Sequence, residues 1–281
     1  MRGWPEEPAT EVARCSWPAA LRAAITGEEL RCFFQPIADR RGTVVGYEAL
    51  ARMDSPAGPV GPVAWFTAAR VHGMSAALEA ACLGAAFSHR PTLPSGCFLS
   101  VNVGPHVLAH PSMREVLEKE GDLTGVVLEL TEHVTVEADS VLRDDLDRYR
   151  SAGARVAVDD AGTGRAGRRC LADLRPSIIK LDRELVTGID GDDDKRARVH
   201  ELAALAFDVD AVLLAEGVER VEELDALVDL PVPLVQGFAL ARPAPPWQGI
   251  DPDIADRLRR RTSAEADGAL RPMARQGAAG G

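Results

Sequence analysis

The sequence predicts an α/β protein, a TIM-like (β/α)8 barrel with one antiparallel strand near the N-terminus. Three observations carry this. Eight short β-rich runs alternate with longer helical patterns, the arrangement of parallel βαβ units. Only ADRRGT separates the first two runs, too short for a crossover, so they form an antiparallel hairpin. The chain length of 281 residues suits a single α/β barrel, which commonly takes about 250 residues.

The candidate strands, in order, are Cys32–Ile37, Val44–Leu50, Cys97–Val103, Gly125–Leu130, Arg155–Asp159, Ile178–Leu181, Ala211–Ala215 and Leu234–Ala239. Several are near-continuous apolar runs, as parallel strands covered on both faces require. Helical patterns lie between them over Val63–Ser88, His106–Lys119, Val136–Ala152, Arg168–Leu174, Asp194–Asp208 and Val221–Asp229, with a last helix near Asp253–Arg260. Ser55–Pro62 is a loop too short to divide the chain. The expected organisation is therefore a flexible segment 1–17, one barrel over 18–261, and a small, polar, Gly-rich disordered tail over 262–281. An open doubly wound sheet is the structural alternative.

Composition narrows the functional classes. A formal net charge of -11 argues against DNA as partner, because phosphate backbones want a basic face. It leaves room for a small phosphorylated ligand held through cations. No stretch approaches a membrane span of roughly 18 apolar residues, and the acidic N-terminus lacks the apolar region of a signal peptide. The five cysteines are scattered, with no C-x-x-C pair. They are expected to be reduced thiols of a cytoplasmic protein, neither zinc ligands nor a disulfide framework. Basic residues are almost all arginine, with lysine only at Lys119, Lys180 and Lys195. A lysine within an apolar strand therefore invites a chemical explanation.

Nearly every candidate strand ends in a polar residue: Gln35, Glu48, Asn102, Glu129, Asp159 with Asp160, Lys180 with Asp182, Glu216 and Gln236. The strand ends of a barrel meet at one mouth, where active sites sit. So many acids in one ring repel unless protons or cations neutralise them. Carboxylates plus an amide oxygen are hard ligands suited to Mg2+ or Mn2+, and the lack of clustered His and Cys argues against zinc or copper. Adjacent Asp159 and Asp160 fit a pair of cations roughly 3.5–4 Å apart, one bridging and one completing a single sphere, as in-line attack on phosphate esters uses. Any one of these acids, taken singly, reads most simply as a helix cap or a solvated loop residue. Their recurrence at successive strands is what carries the site.

These residues lie in segments that together resemble the EAL domain family of cyclic di-GMP phosphodiesterases. Glu48-Ala49-Leu50 stands within GYEALAR. Around it are FFQPI (Phe33–Ile37), SVN (Ser100–Asn102), ELTE (Glu129–Glu132), DDAGTG (Asp159–Gly164), IIKLD (Ile178–Asp182), AEGVE (Ala215–Glu219) and VQGF (Val235–Phe238). The resemblance implies hydrolysis of cyclic di-GMP to linear pGpG with two divalent cations, Mg2+ or Mn2+, in bacterial second-messenger signalling. By resemblance Glu48, Asn102, Glu129 and Asp159 hold one cation. Asp159 and Asp160 hold the other, with Glu216 contributing directly or through water. Lys180 contacts the attacking water or the phosphate and Asp182 orients it. Glu216 is the general-base candidate and Gln236 positions water or ligand. Gln35, Leu50 and Arg52 bind substrate, Arg52 through a forked phosphate contact. Glu132 ties down its loop and Glu219 supports its neighbours. A homodimer is also implied.

The departures from the family pattern fall in one loop, where Ala161 stands for an aromatic or branched residue, Arg165 for tyrosine and Arg168 for an apolar residue. One reading is a loop poorly anchored by packing, with activity that is low or needs a partner or a dimer contact. In that case restoring Tyr at 165 and a branched residue at 161 raises turnover. The other is that both arginines are solvated or pair with nearby acids. For the whole chain the alternatives to a hydrolase are a catalytically silent cyclic di-GMP receptor acting through a regulatory protein partner, and an unrelated barrel enzyme of sugar or phosphate metabolism.

Overall fold

A computed structural model describes residues 17–53, 60–130, 140–159, 171 and 173–270. Its strands are β1 (Leu30–Asp39), β2 (Val44–Met53), β3 (Phe98–Val103), β4 (Val126–Leu130), β5 (Arg155–Val158), β6 (Ile178–Leu181), β7 (Val212–Ala215) and β8 (Leu234–Val235). They close into a barrel in chain order. β1 is the inverted strand. It runs antiparallel to β2, with Gln35 opposite Glu48, and antiparallel to β8, with Ala38 opposite Val235. Every pairing from β2 to β8 is parallel. The open sheet is thereby excluded.

Period-two alternation sorts the inward side chains into two layers. Ile37, Phe98, Val127, Ala157, Ile178 and Leu214 pack as an apolar cluster. Two residues on in each parallel strand stand Ser100, Glu129, Asp159, Lys180 and Glu216. The fold thus delivers polar groups to one level by register alone. A larger apolar cluster, with Leu99, Val101, Leu128, Leu181 and Leu213, fills the space between barrel and helices.

The helices are α1 (Trp17–Ile25), α2 (Pro62–Val71), α3 (Ser75–His89), α4 (Pro105–Leu108), α5 (Pro111–Glu120), α6 (Ser140–Ser151), α7 (Arg183–Val186), α8 (Asp193–Asp208), α9 (Val221–Val228) and α10 (Pro252–Leu270). Two expected helices are each split. The Val63–Ser88 pattern breaks between α2 and α3, where Gly73 has φ +67°, a left-handed conformation that ends a helix. The His106–Lys119 pattern breaks before Pro111, which opens α5 at its first turn, where no N–H is needed.

The helix α10 runs to Leu270, across the expected boundary at 262. Its start is capped by Asp251, whose Oδ1 accepts from the Asp253 amide at 2.8 Å. Thr262 Oγ1 donates to the Arg40 carbonyl at 2.7 Å, and Arg261 pairs with Asp229 at 2.7 Å. The last strand is shorter than the expected Leu234–Ala239. Past Val235 the chain bends against another loop, so that a Cβ on Gly237 would lie 2.1 Å from the Val218 carbonyl oxygen. Residues 1–16 of the expected flexible segment 1–17, the end of the tail from 271, and most of Arg168–Leu174 lie outside the described residues, while Trp17 opens α1. No described helix is long and apolar enough to cross a membrane.

Candidate active site

Lys180 is the centre of the site. Its side chain is 1% exposed, on the inward face of β6. The ammonium reaches four carboxylates, Glu48 and Glu129 on β2 and β4 and Asp159 and Glu216 just past β5 and β7. Glu129 Oε2 lies at 2.7 Å, Asp159 Oδ1 at 3.7 Å and Glu48 Oε1 at 3.8 Å, and Glu216 Oε1 is in direct contact. Asp159, Glu216 and Gln236 each follow a strand by one residue. Their backbone amides continue the ladders, donating to Leu130, Leu181 and Ala215 carbonyls at 3.0, 3.2 and 2.8 Å. The side chains are therefore aimed by the sheet and not by a free loop.

Amides hold Glu48 from two sides. Asn102 Nδ2 donates to its Oε1 at 3.0 Å, and Gln236 Nε2 donates to its Oε2 at 2.6 Å. Gln236 Nε2 also reaches Gln35 Oε1 at 3.1 Å, and Gln35 Nε2 donates to the Ala241 carbonyl at 3.0 Å. Gln35 and Gln236 are thus buried spacers within the ring. Ser100, which the sequence pattern did not single out, donates to Glu129 Oε1 at 2.5 Å. Its inward position between Phe98 and Asn102 was the available signal.

Burial pushes the Glu129 carboxyl up to about 7, with Lys180 opposing and Glu48 adding to the rise. Burial alone would lower Lys180, but Glu129, Glu48 and Asp159 outweigh it and hold the amine well above its ordinary value. The group at the centre is an ammonium.

Asp182 does not join the cluster. It caps α7, accepting from the Glu184 amide at 2.7 Å, and the ion pairs of Lys180 are with Glu48, Glu129, Asp159 and Glu216. Glu219 pairs with Arg183 at 3.0 Å beside the mouth. Behind it the buried Glu223, also missed in the sequence, accepts from the amides of Gly188, Glu219 and Arg220 at 2.9, 3.1 and 3.1 Å. Burial would raise its pKa, but these donors and Arg220 hold it below the usual carboxylate range. Asp160, Glu132, Ala161, Arg165 and Arg168 lie outside the described residues.

Of two cavities, one borders the carboxylates and the other meets the ring only at Asn102. One of about 110 Å3 is bounded by Glu48, Glu216, Glu219, Gln236, Arg183 and Phe238. The other, about 610 Å3, has Leu50, Arg52, Asn102, Glu79 and Phe66 in its walls. Arg52 lies 5.8 Å over the Phe33 ring and keeps one backbone hydrogen bond, to the Ala51 carbonyl at 3.0 Å. Glu79 accepts from the Gly104 amide at 2.7 Å, and burial raises its pKa.

The oxygens of Glu48, Asn102, Glu129, Asp159 and Glu216 are a hard donor set that fits divalent cations by type. Among the described residues no three His, Cys, Asp or Glu side chains stand ready in ligating geometry, and four of the carboxylates lie within 4 Å of the Lys180 ammonium.

Fold and site together define a (β/α)8-type barrel protein with a carboxylate ring at its mouth. The family model of the EAL domain matches residues 19–243, and the chain belongs to that family. A probable cyclic di-GMP phosphodiesterase of Escherichia coli K12, PdeG, is 30% identical over 234 residues, covering 79% of this chain and 46% of that protein. An uncharacterized signaling protein of Caulobacter vibrioides is 30% identical over 267 residues, covering 91% of this chain and 31% of its own length. The chain thus spans less than half the length of these relatives. Among solved structures, the PaMucR phosphodiesterase in complex with c-di-GMP is 26% identical, with a TM-score of 0.73 over 82% of this chain and 98% of that one. A calcium and cyclic di-GMP complex of Klebsiella pneumoniae BlrP1 is 30% identical, with a TM-score of 0.69 over 80% of this chain and 58% of that one.

Proposed function

We propose that this chain hydrolyses one phosphodiester bond of cyclic di-GMP to give linear pGpG, using two divalent cations. The observation that carries the reading is the ring of four carboxylates around Lys180, two of which, Glu48 and Glu216, border a cavity of about 110 Å3. Glu48, Asn102, Glu129, Asp159, Asp160 and Glu216 hold the cations, which are Mg2+ or Mn2+. When bound, these supply an activated water and neutralise charge on the phosphoryl oxygens.

The chain's own residues do the rest. Arg52 offers a planar fork to a phosphate at the wall of the larger cavity. Leu50 beside it offers apolar contact, and Glu79 offers a carboxylate acceptor suited to the N–H edge of a guanine. Glu216, at the mouth, is placed to take the proton of the attacking water. Lys180 donates to the phosphate or to that water. Gln236 and Asn102 fix the orientation of Glu48, and fixed orientation supplies much of the rate in such sites. Asp182 acts through the start of α7 and so on the strand that carries Lys180. Glu132 and Glu219 steady the loops around the mouth. A homodimer belongs to this reading, and light scattering that finds only monomer removes that part.

The test is incubation of purified protein with cyclic di-GMP and Mn2+, with product resolved by chromatography. pGpG formation supports the reading. Tight binding with no product replaces it with the receptor reading.

A further inference from the structure

We propose that Lys180 competes with divalent cations for the oxygens of the ring, so that a cation seats on Glu129 and Glu48 only as the ammonium withdraws from them. This rests on the reading that the ring takes cations. Three observations point to it. The ammonium has four carboxylate oxygens within 4 Å, from β2 and β4 and from just past β5 and β7, gathered about one nitrogen. Among the described residues no three acidic side chains stand in ligating geometry. Both oxygens of Glu48 and of Glu129 are engaged, by Asn102, Gln236, Ser100 and Lys180. Finally, the position is lysine in a chain that otherwise uses arginine almost throughout.

The chemistry follows from charge. Four carboxylates this close, with Glu48 and Glu129 buried, cannot all stay ionised without a counter-charge. A single ammonium supplies part of it, and divalent cations supply more. Both need the same lone pairs. Lysine suits an exchangeable counter-ion, since its ammonium is a compact charge on a flexible stem, whereas an arginine fork would lock onto one carboxylate. Release from Glu129 frees the ammonium for a phosphate oxygen. One side chain thereby couples cation uptake to substrate contact, and it also sets cation affinity by standing in the way.

The experiment follows Lys180 directly. With only Lys119, Lys180 and Lys195 in the chain, lysine labelled with 13C at Cε gives a spectrum of three signals. The Lys180 signal is assigned by its loss in Lys180→Met. Mg2+ is titrated into the wild-type protein while calorimetry records binding. A Lys180 signal that shifts in step with the bound fraction supports the proposal. Mg2+ binding with an unmoved signal overturns it while leaving the cation reading intact. No binding at millimolar Mg2+ or Mn2+ overturns both. Lys180→Met supplies a second readout. Its Mn2+ affinity should rise by at least about tenfold although its turnover falls, and an affinity equal to or below wild type overturns the competition. If that variant does not fold, Lys119→Arg and Lys195→Arg assign the wild-type spectrum instead, which still decides.

Discussion

Ser100→Ala removes one oxygen from beneath the ring and little else. The residue is 1% exposed, so alanine keeps the packing and adds no large cavity. What is lost is the hydroxyl donated to Glu129 Oε1 at 2.5 Å. A hydrogen bond to a charged group contributes about 1.5–3 kcal/mol, and an acceptor left unpaired in the interior carries its own desolvation penalty. At the usual sensitivity of domains of this size this lowers Tm by roughly 3–12 °C in the presence of chelator. The second consequence is functional. Glu129 keeps Lys180 on Oε2 but loses the partner that orients its other oxygen. Partners of this kind typically contribute 10–100-fold to cation affinity, so Mn2+ affinity falls by about that factor. Thermal melts in EDTA and calorimetric Mn2+ titrations measure the two effects. A double-mutant cycle with Glu129→Gln isolates the coupling. A Tm within about 1 °C of wild type, together with unchanged Mn2+ affinity, would refute the assignment of Ser100 to Glu129.

Other perturbations test separate parts of the account. Arg52→Lys replaces a fork by a point charge and is expected to raise KM for cyclic di-GMP roughly tenfold, or about 1.4 kcal/mol, with kcat little changed; a fall in kcat at constant KM would place Arg52 in the chemistry instead. Glu223→Gln tests the support under the mouth. The folded-state pKa of Glu223 is depressed, so its stabilisation is present above the unfolded value and is lost as pH falls through the folded one. The variant should therefore melt below wild type at pH 7, by an amount on the order of 1.5–3 kcal/mol in stability, and the gap should close toward pH 3; a gap constant with pH contradicts the assignment. Burial pushes Cys32 and Cys82, both in the larger cavity's wall, up to about 12. Iodoacetamide at pH 8 should label them far more slowly than a free thiol, and rapid labelling by mass spectrometry would show that the cavity wall opens.

Much of the barrel is legible because strand periodicity is local. The alternation that puts Glu129 two residues past Val127, and Lys180 two past Ile178, is written in adjacent residues and needs no tertiary knowledge. The hairpin follows from a short linker, and the ring follows once the strands are known. The features that escape depend on distant partners or on a single punctuating residue. Gly73 and Pro111 interrupt apolar patterns that otherwise run on. β8 stops early because Gly237 meets the Val218 backbone, a contact invisible in VQGF itself. Ser100 and Glu223 look ordinary until Glu129 and the Gly188 amide are brought to them. Asp182 stands in a motif that suggests lysine orientation, but a local backbone amide two residues on claims its carboxylate. The last helix is legible from Asp253 to Arg260, but its extension to Leu270 lies in tail-like composition, and its docking through Thr262 to Arg40 appears only in the fold.

The central claim concerns what the carboxylate ring does, and Glu48 is the residue through which to ask it. The decisive measurement is Mn2+-dependent conversion of cyclic di-GMP to pGpG by the wild-type chain and by Glu48→Ala, with circular dichroism confirming that both are folded. The account predicts turnover in the wild type and its loss in the variant. Retained turnover in folded Glu48→Ala, or a wild type that binds cyclic di-GMP without cleaving it, would contradict the account.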